Sequence, residues 1–268
     1  MSVLLMTVWL TGCVQEEFES TPSPAGNGIR FTLTVPDVNL PSVSSRTMTG
    51  TGTAKKEDEI ETVDILVFDM SKTPAVFLEW VSATGVTQDL ADNSTVSFSA
   101  VLSPTTASTC IVVVANKELD NIVSGFTKGA TTKVEAMEKM LHTQTGKWLA
   151  DGSTTGGYTR IPMYGEKVIS KITPSMDPIT GINMKRMLAR IDIRNNSATS
   201  NFTVEEVYLA NYNTTGYIAP AWNTNGQVTD PVPDTPVLPA GSGKMTEEGD
   251  AILYSVNGNT PYDGDLYI

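Results

Sequence analysis

Two short runs, "VDILVFD" from Val63 to Asp69 and "CIVVVAN" from Cys110 to Asn116, place apolar side chains at consecutive positions. Strands covered on both faces have this pattern, so both are expected to be central strands of a sheet. A third run, "IRFTLTV", differs: Ile29, Phe31, Leu33 and Val35 alternate with Arg30, Thr32 and Thr34. It reads as a half-buried strand ended by Pro36. From Ile29 onward the chain continues as short strands separated by Gly, Pro, Thr and Asn turns. This organisation favours an all-β sandwich class over a wound α/β sheet.

"AVFLEWV" around Leu78 and "TVSFSAVL" from Thr95 to Leu102 read as further strands, the second with Val96, Phe98, Ala100 and Leu102 on one face. One minor helix is expected near Thr131 to His142, where Val134, Met137 and Leu141 fall at helical spacing, and it should lie across the sandwich. "IPMYGEKVIS" from Ile161 returns to β character, and "TPSMDPITG" reads as a linker because of its prolines and glycine. A new strand follows in "RMLARIDIRNN", with Met187, Ala189, Ile191 and Ile193 on one side. Residues 29–178 are therefore expected to form an N-terminal β-sandwich domain and 179–268 a C-terminal one. The last residues, "YDGDLYI", read as the opening of a strand, which implies that the second domain is truncated here.

With 268 residues, 40% of them hydrophobic and 18% charged, the chain can bury one large core or two ordinary ones. Its 18 basic against 30 acidic side chains give a net charge of -12, a surface that repels nucleic acid and anionic headgroups. Chemistry is sparse. Cys110 opens an apolar run and reads as a small buried hydrophobe. His142, the single histidine, sits at the end of the expected helix, where a positive charge suits the helix dipole. No Cys or His pairing has zinc-ligand spacing, and no nucleophile elbow, metalloprotease pair or phosphate loop is present. Neither enzymatic activity nor a cofactor is expected.

The acidic runs "KEDEIE" and "TVEEVY" read as a solvated loop and an exposed strand face. "DGD" at Asp263 to Asp265 is a candidate for helping to bind a hard cation, carried by three residues only. Trp80, Trp148, Tyr158 and Tyr217 admit two readings: rings stacking on sugars at a glycan-binding surface, or packing within the fold.

The N-terminus carries a different kind of signal. "VLLMTVWL" from Val3 to Leu10 is too short to span a bilayer but has the length of the apolar core of a secretory signal peptide. Leu10-Thr11-Gly12-Cys13 then resembles the lipobox of bacterial lipoproteins, although the usual basic start is missing. By that resemblance residues 1–12 are removed, Cys13 carries the lipid, and residues 13–28, rich in Pro, Ser and Glu, form a flexible tether. The acidic pair Glu16 and Glu17 resembles the surface-export signal of Bacteroidetes lipoproteins.

Taken in order, this leader, "GIRFTLTVP", "SSRTMTG", "EIETVDILVFD", "CIVVVANKE", "IPMYGE" and "MLARIDIRN" resemble the fimbrillin family of Bacteroidetes, the subunits of type V pili. The likeness runs over nearly the whole chain. It implies two transthyretin-like β-sandwich domains in tandem, export as an outer-membrane lipoprotein and a place in a cell-surface fimbria. It further implies cutting by an arginine-specific protease between Arg46 and Thr47, then assembly with other pilus subunits by strand exchange. Arg46 is alternatively an ordinary charged loop residue. Losing Ile29, Phe31, Leu33 and Val35 would leave an apolar groove with unpaired backbone groups, which another subunit's strand can repair. The rival expectation is a surface glycan-binding lipoprotein of the same compartment, with a host or glycan ligand as partner.

Overall fold

The computed structural model describes residues 29–35, 58–88, 95–144, 148, 160–193, 206–209, 213–228, 252–255 and 264–267. The first half begins with β1 (Ile29–Thr34), β2 (Val63–Asp69), β3 (Val76–Ser82), β4 (Thr84–Gln88), β5 (Thr95–Ala100) and β6 (Thr109–Ala115). Two helices follow, α1 (Asp120–Val123) and α2 (Lys133–Lys139), and then β7 (Leu141–Thr143), β8 (Met163–Ile169), β9 (Ile179–Asn183) and β10 (Lys185–Arg186). Later come β11 (Arg190–Ile193), β12 (Glu206–Leu209), β13 (Thr215–Tyr217), β14 (Ile252–Ser255) and β15 (Gly264–Tyr267).

The strands form a sheet ordered β4-β5-β1-β9 and a second ordered β10-β8-β6-β2-β3. One apolar core lies between them. It takes Ile29, Phe31, Leu33 and Val35, with Val96, Phe98 and Ala100 of β5, from the first sheet. Ile65 and Val67 of β2 and Ile111 and Val113 of β6 enter it from the second. The intervening residues, Leu66, Phe68, Cys110, Val112 and Val114, point the other way, into a separate core shared with α1, α2 and the 218–219 segment. Period-two alternation therefore sends one strand's side chains into two cores, and this is why β2 and β6 need unbroken apolar runs. The expected β-sandwich class is observed, with the helices covering the outer face of the second sheet.

β3 passes through Ala83 straight into β4, so one extended stretch serves the second sheet first and the first sheet next. At the other end, two strands beyond the expected boundary at 178/179 complete the sheets. β9 pairs in parallel with β1, and β10 pairs antiparallel with β8. The segment expected to be a linker carries the chain from one sheet to the other. Ile179 is buried within it and Ile172 just before it, and the Ile172 amide donates to Thr105 Oγ1 at 2.8 Å. Among the described later residues, β11 pairs with β15, β12 with β14, and β13 with β7.

α2 is shorter than its sequence pattern implies and differs in phase. Thr132 caps it in a reciprocal box with Glu135, and its buried side is Lys133, Ala136 and Met137, followed by Met140. The expected stripe of Val134, Met137 and Leu141 shares only Met137 with that set. Leu141 is drawn into β7 by pairing with Tyr217 of β13, which ends the helix before His142.

Lys133 is wholly buried, and its Nζ lies 2.5 Å from Glu166 Oε2. Tyr164 Oη donates to the same oxygen at 2.7 Å, while the Val228 amide donates to Glu166 Oε1 at 3.3 Å. Gly226, at φ +74, packs so closely on Lys133 that a Cβ there would lie 3.0 Å from the lysine's own Cβ. The ion pair thus joins α2, β8 and the 223–228 turn. Glu166→Ala leaves a buried ammonium without its counter-charge and is expected to cost about 3–5 kcal/mol in urea unfolding. In the same assay Phe31→Ala should cost about 3–5 kcal/mol, and exposed Arg30→Ala less than about 0.5 kcal/mol.

Candidate functional site

β1 occupies an interior position in its sheet. Six residues pair with β5, placing Ile29 opposite Ala100, Phe31 opposite Phe98 and Leu33 opposite Val96. On its other edge Phe31 pairs with Ile179 and Leu33 with Ile182, with a register shift between them. Ile29, Phe31, Leu33 and Val35 are 4%, 0%, 0% and 1% exposed, so the expected alternation is borne out. The Phe31 ring lies on Phe98 with centroids 5.0 Å apart and planes 7° from parallel. At roughly 1.5–3 kcal/mol for each large side chain, the apolar burial of this one strand is on the order of 10 kcal/mol, an upper figure because unfolded chains are not fully extended.

The sequence reading identified β1 but missed β9, whose "TG" within a presumed linker hides a strand. Gly181 takes a φ of +71 there, which glycine adopts without strain. Cys13, Arg46, Thr47, Tyr158 and Asp263 lie outside the described residues. Asp265 stands in β15 opposite Asp192 of β11. Among the described residues no group of three His, Cys, Asp or Glu side chains is placed to hold a metal ion.

The remaining candidates are held by packing. Cys110 is a free, buried thiol whose Sγ donates to Glu166 Oε2 at 3.9 Å. Burial pushes its pKa up to about 11 against the opposing influence of the Lys133 charge. His142 lies in β7 rather than at a helix end, and its ring stands 5.0 Å from Trp148. Burial, with the Lys117 charge adding to it, pushes its pKa down, so the ring is neutral at pH 7 and carries no charge for a helix dipole. Asp64 is a buried carboxylate that accepts from Trp80 Nε1 at 3.1 Å and Ser82 Oγ at 2.7 Å; desolvation raises its pKa against those two bonds. Trp148 is 6% exposed beside Ile161. Tyr217 meets Trp222 edge to face at 4.8 Å. Trp148 is thus buried, while Trp80 and Tyr217 are half-buried.

The model of the family described as major fimbrial subunit protein (FimA) matches residues 29–233, from the first residue of β1 onward. The chain belongs to this family. A fimbrial subunit is a structural protein of the cell surface that polymerises with other subunits and has no enzymatic role. No curated protein matches the chain. Among solved structures, a fimbrial assembly protein from Parabacteroides distasonis is similar over 90% of this chain and 85% of its own, with 13% identity and a TM-score of 0.41. A candidate cell adhesion protein from the same organism is similar over 90% and 70%, with 18% identity and a TM-score of 0.42. A candidate polysaccharide-binding protein from Bacteroides thetaiotaomicron is similar over 90% and 71%, with 12% identity and a TM-score of 0.42.

Two measurements check the structural status of Cys110 in this fimbrial subunit. At pH 8, peptide-mapped alkylation should label Cys110 of the native protein at least about a hundredfold more slowly than in the unfolded chain. Between the ordinary thiol value of 9.0 and about 11 the unfolded chain ionises first, so this thiol's contribution to stability is lost across that window and Cys110→Ala flattens the decline.

Proposed function

We propose that this fimbrial subunit is exported as a lipoprotein anchored through Cys13, is cut between Arg46 and Thr47, and joins the fibre when β1 is replaced by an extended strand of a neighbouring subunit. The supporting observation is the place of β1. It is paired on both edges and, with Val35 just after it, buries four alternating apolar side chains, yet 35–62 separate it in sequence from β2. A single break in that stretch leaves β1 held by noncovalent contacts alone. A departing β1 exposes an apolar groove and two strand edges, those of β5 and β9, which only another strand can satisfy in full. The later strands that pair among themselves, β11 with β15 and β12 with β14, are proposed to belong to a second β-sandwich unit.

The incoming strand faces a defined geometry. It must run antiparallel to β5 and parallel to β9, and it must present large apolar residues at every second position to replace Ile29, Phe31, Leu33 and Val35.

Incubating the full-length protein with an arginine-specific protease should produce a cut after Arg46, followed by ladders on gels run under mild denaturation. Arg46→Ala should abolish both, and an excess of a peptide copying Ile29 to Val35 should shorten the ladders. A cut subunit that stays monomeric at high concentration with its own β1 still seated would refute strand replacement. For the anchor, Cys13→Ser should lose incorporated palmitate and leave the membrane fraction; retention of both would refute lipidation at that residue.

A further inference from the structure

The stretch between β1 and β2 ends in a run that is held residue by residue. The Asp58 carboxylate accepts from Arg186 at 2.5 Å, and its carbonyl accepts from Gln88 Nε2 at 2.7 Å. The Glu59 carbonyl accepts from Asn116 Nδ2 at 2.8 Å, and its carboxylate lies 3.3 Å from Arg160. The Ile60 amide donates to Gln88 Oε1 at 3.1 Å, while its side chain sits in the sandwich core. The Glu61 amide donates to Asn116 Oδ1 at 3.0 Å, and its carboxylate lies 2.7 Å from Arg160.

Asn116 is the hub. Besides these bonds, its Nδ2 donates to the Ile161 carbonyl at 3.0 Å and its own amide donates to the Thr62 carbonyl at 2.9 Å. It does so from a left-handed backbone at φ 59, a conformation that asparagine tolerates better than most residues. The ion pairs are partly solvated, with Arg160 27% and Glu61 60% exposed, so they are the weaker part of the set. The amide bonds from Asn116 and Gln88 are the stronger part, and salt does not screen them.

None of the four holders belongs to β1. Gln88 ends β4, Asn116 follows β6, Arg160 precedes β8 and Arg186 ends β10. Ile60, by contrast, belongs to the same core as the side chains of β1, and that core opens when β1 leaves. Without the holders, an end freed upstream would peel through Ile60 into Val63 and unzip β2 from both β3 and β6.

We propose that Asn116 and Gln88, backed by Arg160 and Arg186, form a buckle on Asp58–Glu61 that confines the effect of a break in 36–57 to the sheet containing β1. The body then stays folded with its groove open until a neighbour's strand arrives. The proposal rests on the processing reading above.

The full-length chain is nicked with trypsin, for which 36–57 offers Arg46, Lys55 and Lys56, and hydrogen exchange of the β2 amides is followed in nicked and intact protein. Asn116→Gly keeps the backbone conformation free of strain and removes only the side-chain bonds; Gln88→Ala provides an independent second variant. Intact variants should exchange within about threefold of intact wild type, and nicked variants at least about tenfold faster than nicked wild type. Equal exchange in all nicked chains overturns the buckle, as does an effect equally large without the nick, which would make Asn116 an ordinary fold residue. A chain that resists nicking throughout 36–57 overturns it as well. Failure of strand replacement is read separately, from the absence of ladders in the cut wild type.

Discussion

The sandwich depends on how the space between its two sheets is filled, and the sheets are unequal in what else supports them. The second sheet is covered twice, by the sandwich core on one side and by the helices on the other. The sheet containing β1 has a single apolar face, since Arg30 and Thr34 are exposed and β4 is mostly solvated. A strand lost from the second sheet would breach two cores, whereas loss of β1 would open only one. The fold thus sets a doubly covered layer against a singly covered one, and the two differ in how much packing holds each strand.

The Lys133–Glu166 pair ties α2 to the second sheet. Burying the Lys133 charge is expensive, and the cost is offset because the half-buried Glu166 carboxylate, itself bonded by Tyr164 and the Val228 amide, meets the ammonium. The arrangement fixes which turn may lie over α2, because Gly226 leaves no room for a side chain. Cys110 is a small buried group filling the space beside that pair.

Much of this was legible in the residues. Alternation named the four inward side chains of β1, and unbroken apolar runs named β2 and β6 as strands covered on both faces, because period-two geometry leaves few other solutions. What escaped depended on partners remote in sequence. The helix phase was misjudged because a lysine reads as a surface residue, yet Lys133 is buried by a glutamate 33 positions away. Leu141 fitted a helical stripe until β13 claimed it. β9 was hidden by its proline and glycine neighbours. Asn116 and Gln88 look like ordinary polar residues at strand ends; their bonds to Glu61 and Ile60 span 55 and 28 positions, and the Arg186–Asp58 contact spans 128. Local propensity carries no trace of such contacts.

The continuous passage of β3 into β4 has a mechanical consequence. Two layers joined only by a greasy interior slide when sheared, since dispersion forces resist separation far better than sideways creep. Here one covalent thread crosses between the layers at Ala83, while its amide stays bonded to the Val63 carbonyl at 2.9 Å. A pull on β5 passes to β4 and then along peptide bonds into the second sheet.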